Sequence, residues 1–509
     1  MGVFDNLIPS ASNKDELDEV LLRWPRTQVD CTHAQAAESF FIGGRPGSAK
    51  STAVVNTIQR NMFQKDYGVV RFCSKQGEAA EVIRAVKKAG REKDLVHFSV
   101  NSDECFGFLE YEMSRQGEGA GDPINTAYLL SQLGEITQNF DGTGDSKGSD
   151  PFWIQGLRRL NTESTRLLNL AGLEVSIKNM KRLVDNHFDE QDAAKFSRLQ
   201  SELQDKSLES EARLRSFKEY EKFVRQNFLL EAFERANTSE LSDEQVEELQ
   251  AVGDYFFKSL ARLSEKTRSI ILESFYGLIQ PFESPLLKKK FSGGVSENLR
   301  PEKLYQEGKI IVVDFPAKEF GVSGLLAAGI YKLAVQAAME RRCVNEETNP
   351  RMVGIIIDEY AHVCSPHYDS LFLTTARSSM VSCVLVSQNI NNLIYAMGTK
   401  NPEARAKALL GNIGTKIFCN NSCYDTNEYA SQMIGEEYVE TESMVVDADQ
   451  KRSQSFNLEK RRKVPVEDFT TLKTGRGFGG KAEAIVFHPG TLWGDDNQNY
   501  GRVEFDQDI

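Results

Sequence analysis

The chain lacks a secretory leader, an unbroken apolar run of membrane length, a cysteine framework and an excess of positive charge. The first twenty residues, MGVFDNLIPSASNKDELDEV, hold no cationic stretch followed by an apolar one, so no export is expected. Asn6 departs from the Ser or Thr that N-myristoylation takes at that position. The longest weakly polar run, SGLLAAGIYKLAVQAAM from Ser323, is cut by Lys332 and falls short of the roughly 20 apolar residues of a span. It predicts a buried helix. The eight cysteines, at 31, 73, 105, 343, 364, 383, 419 and 423, follow no framework spacing, which suits a reducing cytoplasm. Cys419 and Cys423 have no second pair or histidine cluster beside them, which argues against a metal site. With 61 basic against 74 acidic residues, a net charge of -13, the surface is not coated with nucleic-acid-binding charge; a local basic channel remains compatible.

What is present is enough for two to three domains, 509 residues of which 40% are hydrophobic. A short apolar run, ESFFIGG, leads into GRPGSAKS (Gly44 to Ser51), and a helical pattern with Val54, Ile58 and Met62 follows. GVVRF, the helix EAAEVIRAVKKAG stopped at Gly90, and LVHFSV complete a β-α-β-α-β pattern over residues 36 to 100, and hence a parallel sheet. From about 125 to 285 the pattern is long, charged and helical. In LRSFKEYEKFVRQNFLLEAFERA, Leu214, Phe217, Val224 and Phe228 make one apolar face. Residues 185 to 250 hold 17 acidic and nine basic side chains, read as a solvated outer face. DGTGDSKGSDP (141 to 151) reads as a flexible loop. Buried strands return at KIIVVDF, VGIIIDEY, VSCVLVSQN and TKIFCNN, and TESMVVDADQKRSQSFNLEKRRKVP reads as a mobile polar loop. The fold class expected is α/β: a P-loop NTPase domain with a mainly parallel sheet, interrupted by an inserted all-helical domain. Its parts are residues 1–120, an all-α insertion at 121–300, a return at 301–440, and a closing segment at 441–509.

GRPGSAKS departs from the phosphate-loop pattern G-x-x-x-x-G-K-[ST] only at Ala49. Gly44, Arg45, Pro46, Gly47, Ser48 and Ala49 form a turn whose backbone N–H groups wrap the α- and β-phosphates of a nucleotide such as ATP. Lys50 neutralises β/γ charge, Ser51 binds Mg²⁺, and Thr52 sits near the α-phosphate. GIIIDE places two carboxylates at the C-terminal edge of a central strand, where α/β sheets bind ligands. Asp358 is assigned to the Mg²⁺ shell and Glu359 to orienting or deprotonating the attacking water. Arg377 is a candidate charge-stabilising finger, and Gln388 senses the γ-phosphate or positions water. Lys50 and Asp358 lie 308 residues apart, so a whole domain must be inserted between them.

The order GRPGSAKS, VVRFCSKQGEAAEVIRAVKKAG, PFWIQGLRRL, KIIVVDFP, GIIIDEYAHV, TTARSSMVSCVLVSQN, LLGNIGTKIFCNNSCYDTNEYASQMIG and VPVEDFTTLKTGRG resembles the conjugative type IV coupling proteins, the TraD, TraG and TrwB group within the FtsK/HerA class of DNA-pumping ATPases. The resemblance implies a RecA-like domain, a hexameric ring, ATP between neighbours and DNA in a central channel. It also implies that Arg377 reaches a neighbouring subunit's nucleotide. Three departures stand out: Ala49; Cys73, where the family has an aspartate, while Lys75, Gly77 and Glu78 fit; and an expected absence of the usual N-terminal membrane anchor. A soluble HerA-like motor for DNA processing, packaging or phage defence, with a nuclease partner, therefore stands beside conjugative transfer with a relaxase or secretion-channel partner. A non-catalytic ATP-binding scaffold is the alternative of another class. Arg158, Arg159, Lys288 to Lys290 and the run Lys460 to Lys463 are the candidate DNA contacts. A cytoplasmic location follows, peripheral at the inner membrane if a partner supplies the anchor.

Overall fold

The computed structural model describes residues 17–117, 119–141, 151–205, 207, 210–398, 401–446 and 452–507. Asn6 and nearly all of DGTGDSKGSDP lie outside them. The chain divides into two compact units. One holds residues 1–98, 301–318 and 335–509, the other residues 99–300 and 319–334.

The first unit is built on strands β1 (Val20–Arg23), β2 (Asp30–Thr32), β3 (Phe40–Gly43), β4 (Gly68–Cys73), β5 (Leu95–Ser99), β6 (Ile310–Asp314), β7 (Val353–Ile357), β8 (Val381–Ser387), β9 (Thr415–Cys419), β10 (Glu436–Val446), β11 (Arg452–Arg462), β12 (Thr474–Gly475), β13 (Lys481–Phe487) and β14 (Tyr500–Asp506). Ten of them share one sheet in the order β12-β13-β9-β3-β8-β7-β4-β6-β5, with β14 on β13. The pairs β9–β3, β3–β8, β8–β7, β7–β4 and β4–β6 are parallel. Every residue of β3, β4, β7, β8 and β9 is buried, as expected of strands covered on both faces. Strands adjacent in the chain are not neighbours in the sheet: β8 and β7 stand between β3 and β4. The C-terminal ends of β3, β8, β7 and β4 therefore lie side by side, and that edge carries the site.

One sequence expectation is corrected in this unit. The described parts of the segment read as a mobile polar loop, up to Arg462, belong to an antiparallel ribbon, β10 against β11, from Glu436 opposite Arg462 to Val446 opposite Arg452, and residues 447–451 lie outside the described residues. None of its residues with a described burial is buried, Tyr438, Phe456 and Leu458 included, so no buried alternation marks it, and cross-strand charge such as Lys460 with Glu436 supports it instead. The sheet is mainly parallel, as expected, and continues beyond β9 in antiparallel strands, β13 against β9 and β14 against β13.

Among its described residues the second unit is helical, with one isolated bridge between Phe106 and Val295. The stretch read as one apolar face is broken in two. Helix Ser210–Gln226 ends at Asn227, whose side chain accepts from Leu230 N–H and caps helix Phe228–Thr238. Val224 and Phe228 are buried while Leu214 and Phe217 are exposed. Helix Ala317–Glu340 contains the run from Ser323. It is long and apolar enough to cross a membrane, but 83% of its most apolar window is buried inside the protein. Gly321, at φ 54°, kinks it.

Candidate functional site

The loop after β3 is held by backbone bonds to both flanking strands. Gly44 N–H donates to Ser387 O at the end of β8 (3.3 Å) and Arg45 N–H to Asn420 O just past β9 (3.0 Å), while Ser48 N–H returns to Arg45 O (3.1 Å). Gly47 lies at φ 80°, where only glycine is unstrained. A Cβ on Gly44 would meet Ser48 Oγ at 2.6 Å and Cys419 Cβ at 2.8 Å, so the turn is as tight as its residues allow. The helix opens with a widened turn, in which Asn56 N–H reaches Ser51 O.

Ala49, the one departure from the loop pattern, sits at φ 63°, ψ 16°. An alanine there carries left-handed strain of about 1–3 kcal/mol, offset in part by its buried methyl. Ala49→Gly is expected to leave stability within about 1 kcal/mol, because relief of strain, lost methyl burial and added unfolded-state freedom nearly cancel. Ala49→Val should cost about 2–3 kcal/mol, since a β-branched residue is a real outlier in that region. Thermal melts of both variants check this.

At the end of β7, Ser51 Oγ donates to Asp358 Oδ2 at 2.9 Å, and Glu359 N–H donates to Asp358 Oδ1 at 3.0 Å. Both Asp358 oxygens are thus committed. Glu359 follows in the left-handed region at φ 51°, which turns its side chain away from the strand's alternation. Its Oε1 accepts from Gln388 Nε2 at 3.1 Å, so β7 and β8 jointly hold it. Glu359, Gln388 and the loop residues Pro46 to Thr52 line one cavity of 490 Å³, within the range of small-ligand sites.

Three cations surround the acids. Arg71 on β4 is 2% exposed and pairs with Glu78, with Asp358 Oδ2 3.9 Å away. Lys75 Nζ lies 3.5 Å from Asp358 Oδ2 and 3.8 Å from Glu359 Oε1. Lys50 is buried and makes no ion pair among the described residues. Burial pushes the Asp358 carboxyl up, but Arg71, Lys75, the Ser51 hydroxyl and Lys50 outweigh it and hold it below the usual range. Burial pushes Glu78 up, and Arg71 offsets this only in part while Asp358 adds to it. Two carboxylates share one buried guanidinium, and Asp358 keeps its charge the more firmly.

The structure therefore brings together the loop, Asp358, Glu359 and Gln388, with Thr52 accepting from Gln507 Nε2 at 3.0 Å. It does not bring Arg377 to them. That residue precedes β8 and pairs with Glu38 (3.2 Å) at the opposite edge of the sheet, a strand length of roughly 20 Å away. Of the basic candidates, Lys290 is buried on carbonyls of residues 102 and 104, and Arg158 and Arg159 stack on Tyr128 and Tyr255. Lys460, Arg461 and Arg462 pair with Glu436, Glu459 and Glu428, and Lys463 with Asn499. Lys288 and Lys289 are exposed. Sequence reasoning left Arg71 and Gln507 out of the site and gave Lys75 and Glu78 no role. The signal for the last two is their place directly after β4, at the binding edge of the sheet.

The donors fit a nucleotide with its divalent cation. Ser48 Oγ is buried without a partner at the centre of the loop, and no group of three or more His, Cys, Asp or Glu side chains stands ready for a metal among the described residues. A hydroxyl and one carboxylate are what the protein contributes to Mg²⁺ that arrives with phosphates.

Fold and site together define the RecA-like P-loop NTPase fold. Within that class the resemblance is to the TraD/TraG/TrwB coupling proteins. Residues 352–474 match the family model described as the TraM recognition site of TraD and TraG. The bacterial conjugative coupling protein TrwBdeltaN70, unbound, superposes with a TM-score of 0.55 at 13% identity, over 98% of this chain and 92% of that one. TrwB in complex with ADP and Mg²⁺ gives 0.55 at 13% identity, over 99% and 93% of the two chains. TrwB with a non-hydrolysable ATP analogue gives 0.54 at 14% identity over the same shares. No curated protein sequence matches the chain.

Proposed function

We propose that the chain is an ATP-hydrolysing motor that moves DNA, or a protein–DNA complex, as a coupling protein of conjugative type IV secretion. The observation that carries this reading is the joining of Ser51 to Asp358 across 307 residues, with Glu359 rather than Asp358 facing the cavity. A hydroxyl and a committed carboxylate suit the metal of an MgATP substrate, which supplies charge neutralisation at the phosphates. Lys50, Ser48 and the loop amides bind phosphate oxygens. Glu359, oriented by Gln388, takes the proton of the attacking water. The ATP analogue and the ADP with Mg²⁺ bound by TrwB, and that protein's description as a conjugative coupling protein, support the transfer of this chemistry to the present chain.

Arg377 is 63% exposed at its side chain and far from its own chain's cavity, which supports a role at a neighbour's nucleotide in a ring, hexameric by the resemblance. DNA in such a ring meets the same few cations six times over, Lys288 and Lys289 among the candidates, and net acidity is no obstacle. The working location is cytoplasmic, against the inner membrane where a secretion partner holds it; a relaxase is the cargo partner.

The test is ATP turnover with and without double-stranded DNA at rising salt. Turnover should rise with DNA, lose that stimulation steeply with salt, and vanish in Lys50→Ala. ATP binding without turnover would leave only a scaffold.

A further inference from the structure

The mechanism above leaves Lys75 unused, although among the described residues its ammonium is the one cation within ion-pair distance of both acids of the pair. It stands on the turn after β4, and that turn is fixed. Glu78 Oε2 accepts from Ser74 N–H (2.9 Å) and Lys75 N–H (3.2 Å), and Gly77 at φ 83° admits the helix Glu78–Lys88. The backbone of Lys75 is thus held while its side chain, 48% exposed, lines the cavity with the phosphate loop.

The other two cations cannot move in the same way. Arg71 is enclosed in the sheet and tied to Glu78, and Lys50 is buried beneath the loop. Lys75 is a compact charge on a flexible stem with its head at the solvent edge. Its present partners are also weakly held: 3.5 and 3.8 Å are ion-pair distances beyond good hydrogen bonds. Ser51 and Asp358 would hold the divalent ion of the substrate, and that ion would supply the neutralisation at Asp358 that Lys75 now shares. The strongest new anion within reach in the same cavity is then the terminal phosphate of a nucleoside triphosphate.

Resting on the reading of this cavity as an ATP site, we propose that Lys75 exchanges the Asp358–Glu359 pair for the terminal phosphate, and so makes the site distinguish nucleoside triphosphate from diphosphate. Lys75 then reports the state of the nucleotide to the two acids: with diphosphate it sits on Glu359 and restrains it, and with triphosphate it frees Glu359 to meet water.

The experiment measures, in the full chain with Mg²⁺, the affinity for ADP and for a non-hydrolysable ATP analogue, together with ATP turnover. Wild type, Lys75→Met, Lys75→Gln and Lys75→Arg are compared. Lys75→Met and Lys75→Gln should weaken the triphosphate analogue about tenfold and lower kcat, with ADP affinity unchanged. Lys75→Arg should restore most of the preference, because it keeps the charge. Equal weakening of both nucleotides, or no change in either, overturns the proposal, since a merely structural lysine would not separate them. If wild type binds neither nucleotide, the ATP-site reading falls first, and that result is told apart by the wild-type control alone.

Discussion

Replacing Glu359 with glutamine should lower ATP turnover by about 10²–10⁴-fold, the worth of a positioned general base, while leaving nucleotide affinity within about threefold. The geometry separates the two effects. Asp358 is already engaged at both oxygens, by Ser51 and by the Glu359 backbone, and it does not line the cavity. Glu359 does line it, and among the described residues its side chain hydrogen-bonds Gln388 alone, through Oε1, which leaves Oε2 for a water. Glutamine has the same shape, keeps a carbonyl oxygen for Gln388, and tolerates the left-handed backbone no worse than glutamate does. What it loses is the capacity to take a proton. Equilibrium binding of ATP and single-turnover hydrolysis decide the matter. A loss smaller than about tenfold would remove Glu359 from the proton-accepting role, and a large loss of affinity would make it a binding residue instead.

The parts of this site that are legible in the sequence are those whose chemistry leaves a local mark. GIIIDE shows because a continuous apolar run ends abruptly in two acids, and GRPGSAKS because small residues and a lysine interrupt a strand-to-helix passage. Arg71 leaves no such mark. Inside GVVRF a lone arginine reads as a strand residue facing solvent, and only the fold reveals that it is buried beside Asp358, 287 residues away. Gln507 is hidden for the same reason, since its partner Thr52 is at the other end of the chain. The sheet order is equally non-local: the β-α-β-α-β pattern of residues 36 to 100 is visible, but not the insertion of β7 and β8 between β3 and β4. The ribbon of β10 and β11 escapes because strands without a buried face have nothing to set a period. Arg377 is found by its order after the acid pair, which says nothing of the edge of the sheet on which it stands.

Replacing Arg71 with leucine should destabilise the first unit by about 3–5 kcal/mol at neutral pH, the usual cost of removing one partner of a buried ion pair. It leaves Glu78 and Asp358, both largely enclosed, facing each other without their shared guanidinium. The sign of the pH dependence makes the prediction specific. In the wild type Asp358 is held below its ordinary value, so its stabilising contribution is present above an unfolded value of about 4 and is lost as pH falls through the lower folded value. In the variant both carboxyls are driven upward by burial and by each other. A carboxyl raised in the folded state favours folding once protonated, so stability is recovered as pH falls from 7 toward 5 and is lost again as pH rises. Denaturant midpoints of wild type and variant at pH 7 and pH 5 read this directly: the gap between the two proteins should narrow at the lower pH. Lysine at position 71 should not rescue the loss in full, because an ammonium is more strongly hydrated than a guanidinium and is the costlier cation to bury there. A variant as stable as the wild type, or a gap that widens on acidification, would mean that Arg71 is not what keeps Asp358 charged for its place beside Ser51.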